Sequence, residues 1–205
     1  MSDRPNVLWV CTDQQTADAL GCVSPYLDTP AMDRIAERGV RFDRAYCPEP
    51  VCGPSRASML TGRMPHETGV TENGESPEAY ADESLGVLLR DAGYETAYAG
   101  KWHVPSMHPE GEAPEYGFDV IGGFDDIELP GACADFVTDR DEDRPFFLAA
   151  HFDNPHNICE YSRNQVLPWG SIEEVPTEEC PPLPANFNVP PFEPGSLADL
   201  RKQMR

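Results

Sequence analysis

Two short apolar runs constrain the architecture more than anything else in this sequence. They are Asn6-Val7-Leu8-Trp9-Val10-Cys11 and Pro145-Phe146-Phe147-Leu148-Ala149-Ala150-His151-Phe152. Continuous apolar runs of this length mark strands buried on both faces, the condition of strands in a helix-covered parallel sheet. The first run ends in Thr12-Asp13-Gln14-Gln15 and the second in Asp153-Asn154-Pro155-His156-Asn157. In open α/β sheets the chemistry gathers at the carboxyl ends of the strands, so Asp13 and Gln14 are well placed for a site. Read alone, Asp13 could equally be a turn residue capping the next segment. His151 falls inside its strand, where a satisfied core histidine is the expected role.

Between these runs the signals alternate. Thr29-Pro30 opens a helix whose Met32, Ile35 and Ala36 form an i, i+3, i+4 stripe for packing on a sheet, closed by Gly39. Val40 to Tyr46 alternates as a half-buried strand would. Residues 64–70 read as a loop, with His66 at the surface or behind a site. Ser84 to Ala92 is a helix with Leu85, Leu88 and Leu89 inward, stopped by Gly93. Tyr94 to Ala99 is a strand whose end carries Gly100-Lys101-Trp102-His103. Residues two apart on an extended segment point the same way, so Lys101 and His103 are expected to face one anion. Residues 107–130 read as loops with at most a short strand, Ala132 to Arg140 as a helix, and Ser196 to Arg205 as another.

The segment Val51-Cys52-Gly53-Pro54-Ser55-Arg56-Ala57-Ser58-Met59-Leu60-Thr61-Gly62-Arg63 is where a nucleophile and an anion site coincide. Pro54 fits the first helical position, Ser55 to Leu60 run as a helix, and Gly62 supplies the left-handed end. Cys52 is thereby set at a helix N-terminus, where free N–H groups and the macrodipole favour negative charge. Arg56 lies one turn on. A cysteine alone would be read as a small buried residue.

Cys52-Gly53-Pro54-Ser55-Arg56 followed by Leu60-Thr61-Gly62-Arg63 resembles the signature of the type I sulfatases, and strand-Gly100-Lys101-x-His103 resembles the second signature of that family. The resemblance implies an alkaline-phosphatase-like α/β fold, with a mixed, mainly parallel sheet flanked by helices. It implies that Cys52 is oxidised to formylglycine by a formylglycine-generating enzyme, and that the hydrated aldehyde attacks sulfur. By the same resemblance, Asp13, Gln14 and residue 52 hold a divalent cation, expected to be Ca²⁺. Arg56 would steady the diol, Lys101 and His103 the sulfuryl oxygens, and His156 the leaving alcohol. Many relatives carry two consecutive aspartates where this chain has Asp13-Gln14, a pair also found in members that cleave choline sulfate or phosphonate monoesters.

The implied activity is hydrolysis of a sulfate monoester on a small molecule or glycan. The alternatives are a phosphonate or phosphate ester hydrolase of the same superfamily, or a catalytically silent binding remnant. Composition narrows the partners. Among 205 residues, 36 acidic side chains face 15 basic ones, a net charge of −21 that argues against nucleic acid or an anionic membrane as partner. The acidity and the scarcity of lysine, with only Lys101 and Lys202, suit a salt-rich cytosol. The seven cysteines form no disulfide framework or zinc-ligand spacing, and neither a signal peptide nor a membrane span is legible. A cytoplasmic location is therefore expected. Residues 1–205 are expected to be the N-terminal part of a sulfatase catalytic domain, truncated before its C-terminal half, with 167–195 a proline-rich extended segment.

Overall fold

A computed structural model describes residues 4–140, 143–170, 176–183 and 187–203. Four strands, β1 (Val7–Asp13), β2 (Glu95–Gly100), β3 (Asp119–Gly122) and β4 (Phe146–Pro155), form one sheet in the order β1-β4-β2-β3. Every pairing is parallel. The expected mixed sheet is thus wholly parallel among the described residues. Parallel neighbours need crossovers, and the chain supplies them as helices: α1 (Pro30–Arg38), α2 (Cys52–Thr61), α3 (Pro65–Thr68), α4 (Leu85–Asp91), α5 (Pro109–Glu112) and α6 (Leu129–Asp139). Beyond β4 the described residues form α7 (Ile158–Ser162), a 3₁₀ turn at Thr177–Glu179 and α8 (Gly195–Gln203).

Both sheet faces are covered near the centre. On one, Leu60 and Ala57 of α2 and Leu85 and Leu89 of α4 meet Trp9, Tyr98, Phe147 and Trp102. On the other, Cys133 and Phe136 of α6 pack on Ala97, Phe146 and Leu148, and Leu129 packs on Ala99 and Ala150. The second run is buried as expected from Pro145 to His151, with Phe152 half-buried. The run at Val7 is not: Leu8 is 56% and Val10 49% exposed, because β1 is an edge strand covered on one face only.

Three further expectations fail for a related reason. The apolar stripe of α1 finds no sheet to pack on, and Ile35 is 69% exposed. Val40 to Tyr46 forms no strand; its alternation has no partner strand among the described residues, and Val40, Phe42 and Tyr46 face solvent. Leu88 also points outward, leaving Leu85 and Leu89 to bind α4 to the core. Residues 64–70 contain the single turn α3 rather than a plain loop. Of the proline-rich segment, 171–175 and 184–186 fall outside the described residues, as do 204 and 205 at the end of the expected last helix. No helix among the described residues is long and apolar enough to cross a membrane.

Candidate active site

Strand register builds the site. Cys11 on β1 and Gly100 on β2 both pair with His151 on the central β4, so the three strands end side by side. The residues that follow leave at one level: Asp13 from β1, Lys101 from β2, and Asp153 and His156 from β4. Parallel strands make this possible, since all their carboxyl ends share one edge.

α2 approaches the same edge with its N-terminus. It begins at Cys52 itself rather than at Pro54, with Val51 as the extended N-cap residue and Pro54 in the third helical position. Pro54 costs nothing there either, because the first four N–H groups of a helix lack intrahelical partners. Gly62 closes the helix in the left-handed conformation as expected, its N–H donating to Ser58 O at 2.8 Å. The Gly53 N–H is held by Asn73 Oδ1 at 2.8 Å, pinning the first turn.

The charged groups form a closed cluster. Lys101 is completely buried, and its ammonium lies 2.9 Å from Asp13 Oδ2, 2.8 Å from Asp153 Oδ1 and 2.8 Å from His156 Nδ1. An ammonium only donates, so Nδ1 of His156 accepts and the ring proton sits on Nε2. Arg56, also buried, donates to Lys101 O at 2.7 Å and meets His151 Nδ1 at 3.0 Å, while its other terminal nitrogen donates to Asp13 Oδ2 at 3.0 Å. Two cations thus face two carboxylates, and the cluster is close to neutral. Burial pushes the Asp13 carboxyl up, but the Lys101 hydrogen bond and the charges of Lys101 and Arg56 outweigh it and leave its pKa below the ordinary value. Burial first, then the Arg56 charge, drive the His151 pKa well below 6.5, so this ring is neutral.

Every residue read from the sequence reaches this edge, though not always as expected. Lys101 and His103 do not lie on an extended segment: Trp102 between them is fully buried and His103 has φ +62°. The left-handed residue, not strand alternation, sets its ring. His103 is half-buried with Nδ1 unpaired among the described residues, and burial followed by the charges of Lys101 and Arg56 lowers its pKa to about 4. Gln14 also takes a positive φ, +59°, and lines the cleft with Asp13, Cys52 and Arg56. Asp153, which sequence reasoning passed over, binds Lys101. Its one signal was an acid two residues after His151, inside a strand end already marked for chemistry. Asp126, also unmarked, holds that strand end by accepting from the N–H groups of Asp153 and Asn154 at 2.9 and 2.7 Å.

Ligand atoms of Asp13, Cys52 and His156 lie within 4.8 Å of one another. A carboxylate oxygen, an imidazole nitrogen and a thiol suit a borderline ion; a hard ion such as Ca²⁺ wants oxygens. Replacement of the thiol by an aldehyde hydrate shifts the set toward oxygen. With Gln14 beside them, the residues fit part of a divalent shell.

A parallel α/β sheet with a cysteine-bearing helix N-terminus over its carboxyl edge defines the class: an alkaline-phosphatase-like fold. The sulfatase family profile matches residues 5–168, and the chain belongs to that family. It is 35% identical over 173 residues to an N-acetylglucosamine-6-O-sulfatase of Bacteroides thetaiotaomicron, covering 75% of this chain and 31% of that protein. It is 32% identical over 204 residues to a Delta 4,5-hexuronate-2-O-sulfatase of the same organism, covering 91% and 41%. A solved 2-O GAG sulfatase superposes with a TM-score of 0.67 at 32% identity, over 91% of this chain and 42% of that one. The chain therefore spans about a third to two fifths of the length of these relatives. A phosphonate monoester hydrolase of Agrobacterium radiobacter, 21% identical with a TM-score of 0.60, shares the fold.

Proposed function

We propose that this site serves the hydrolysis of sulfate monoesters carried on a glycan, with residue 52 as the nucleophile after oxidation to formylglycine. The supporting observation is the meeting of Cys52, Asp13 and His156 within 4.8 Å at the N-terminus of α2. The positive end of the α2 dipole stabilises charge developing on the attacking oxygen and on the sulfuryl group. Arg56 orients Asp13 from beneath. Lys101, whose three protons go to Asp13, Asp153 and His156, holds these groups in place, and His103 lies half-buried at the same strand end. The Nε2–H of His156 is a hydrogen-bond donor available to the leaving oxygen, and Lys101, donating to Nδ1, holds the ring in that tautomer.

Asp13, Gln14 and the hydrated residue 52 would hold a divalent cation, for which Ca²⁺ is the ion proposed. When bound, it would polarise the sulfate and lower the pKa of the diol. The near-neutral cluster gives a physical reason for needing it, since no excess positive charge remains for an arriving anion. A formylglycine-generating enzyme is the partner that this reading requires.

The deciding experiment is the mass of tryptic peptide Ala45–Arg56, prepared from protein made in a host with a formylglycine-generating enzyme. Oxidation of the Cys52 thiol replaces H₂S by O and lowers the mass by about 18 Da, while Cys47 in the same peptide still takes an alkylating reagent. An unchanged peptide with two alkylated cysteines would remove the nucleophile from the proposal. Comparison of an aryl sulfate with an aryl phosphonate then separates sulfatase from phosphonate hydrolase chemistry.

A further inference from the structure

His151 is a buried polar group to which the catalysis proposed above gives no task. Side chains alternate along a strand, so Phe147, Ala149 and His151 of β4 share one face, the face that α2 covers. His151 is the polar end of an otherwise apolar row, and it meets Arg56 of α2.

Packing does not call for an imidazole here. Its ring lies edge-on to Trp9 and Tyr98, with centroids 4.4 and 4.9 Å away, contacts that an apolar ring would make as well. A guanidinium has only donors, so His151 Nδ1, facing Arg56 Nη1 at 3.0 Å, is the acceptor and the single ring proton sits on Nε2. That Nε2 is buried with no partner among the described residues. A donor left unsatisfied in a core weakens the fold. Whatever His151 contributes is therefore made through Nδ1.

The contacts of Nδ1 show what that is. Nη1 of Arg56 carries two hydrogens and has two acceptors, Lys101 O at 2.7 Å and His151 Nδ1 at 3.0 Å. The buried Tyr98 hydroxyl lies 2.6 Å from the same two acceptors and donates to one of them. With both hydrogens of Nη1 placed, the plane of the guanidinium is fixed, and Nη2 is aimed at Asp13 Oδ2, 3.0 Å away. Lys101 takes the same oxygen at 2.9 Å. The other oxygen, Oδ1, is 3.5 Å from His156 Nδ1, a nitrogen already accepting from Lys101, so these two exchange no hydrogen bond. Oδ1 is the oxygen that Asp13 keeps for the cleft it lines with Gln14 and Cys52.

We propose that His151 is a positioning residue, whose Nδ1 locks the Arg56 guanidinium and, through it, the rotation of the Asp13 carboxylate that leaves Oδ1 to the cleft. His151 itself does not line that cleft. The use made of Asp13 rests on the catalytic reading above; the lock on Arg56 does not.

The test follows the Arg56 side chain by proton–nitrogen correlation NMR of the full chain, its signals assigned by their loss in Arg56→Lys. In the wild type the hydrogens of Nη1 and Nη2 should give separate signals, because rotation about the Cζ–N bonds is halted. His151→Phe keeps a planar ring against Trp9 and Tyr98 but offers no acceptor, and the Arg56 signals should merge while the chain stays folded. If the phenylalanine ring crowds Tyr98 and the chain unfolds, the smaller His151→Leu makes the same comparison. His151→Gln returns a side-chain acceptor and should return the separate signals. In protein with Cys52 converted, the Ca²⁺ concentration at the midpoint of the Tm shift should rise about tenfold in His151→Phe and fall back in His151→Gln. Averaged Arg56 signals in the wild type, or separate ones in a folded variant without the acceptor, would overturn the lock. An unchanged Ca²⁺ midpoint in that variant would overturn the effect on Asp13. A converted wild type with no Ca²⁺ shift counts against the cation reading, and the Arg56 spectrum decides the lock without it.

Discussion

The ammonium of Lys101 lies 2.9 Å from the Asp13 carboxylate although one leaves β2 and the other β1, with β4 between them. The pair spans the sheet. It does so because Lys101 runs over the end of β4, where Asp153 takes a second of its protons at 2.8 Å. A lysine so fully enclosed is tolerated only because its partners carry the opposite charge.

Removing that ammonium strands two enclosed carboxylates. Lys101→Met is expected to cost about 3–5 kcal/mol of stability, the range for breaking a buried ion pair by deleting one partner. Urea unfolding at neutral pH measures it. A loss under about 1 kcal/mol would mean that Asp13 and Asp153 find solvent readily, contrary to their enclosure. Asp13→Asn, which leaves Lys101 with Asp153, is expected to cost less than the lysine variant.

How much of this was legible beforehand depends on what each signal needed. The helix N-terminus at Cys52, the left-handed Gly62 and the strand ends at Asp13, Lys101 and His156 rest on local pattern, and the structure places them together. What required neighbours went astray. Val7 to Cys11 reads as buried on both faces, yet burial belongs to the sheet order and β1 lies at an edge. Val40 to Tyr46 alternates like a strand but has nothing to pair with among the described residues. The roles of Asp153 and Asp126 depend on which strand ends meet, and no spacing in the sequence encodes that.

His151 makes stability fall on the acid side. Its ring is neutral in the folded chain because burial and the Arg56 charge hold its pKa well below 6.5. The unfolded chain, with an ordinary histidine, binds a proton that the folded one refuses. Stability is therefore fully present above about pH 6.5 and declines as pH drops below it, with a limiting slope of about 1.4 kcal/mol per pH unit from this one group. His103, lowered to about 4, acts in the same direction down to that pH. Unfolding free energies between pH 7.5 and 5 check the sign, and His151→Gln should flatten the curve. A flat profile in the wild-type chain would contradict the neutral, enclosed ring.

Gly100 aims Lys101. It sits at the last position of β2 with φ +94°, and a Cβ there would come within 2.0 Å of His151 O and 2.4 Å of Leu129 Cδ1. The carbonyl is backbone on the central strand and cannot yield without moving β4. Gly100→Ala is expected to destabilise by about 3 kcal/mol, combining left-handed strain with overpacking. It should also displace the ammonium, so any Ca²⁺-dependent rise in Tm should shrink with it. Thermal unfolding with and without the ion reports both effects.

Cation binding itself should be visible as stability. An ion that binds only the folded chain raises Tm in proportion to RT ln(1 + [L]/Kd), about 2.7 kcal/mol at one hundred times Kd. Here the ion must draw Asp13 away from Lys101 and Arg56, which already satisfy it at 2.9 and 3.0 Å. That competition predicts weak binding while residue 52 is a thiol, because sulfur offers a hard cation little. After conversion of Cys52 the same titration should shift Tm at lower Ca²⁺, since oxygens replace sulfur beside Asp13. Thermal scans of converted and unconverted protein from micromolar to 10 mM Ca²⁺, a range set by the weaker known sites, measure the difference. Asp13→Ala should abolish the shift in both forms. A shift that survives this variant would locate the ion elsewhere, among the many other carboxylates of a chain with a net charge of −21.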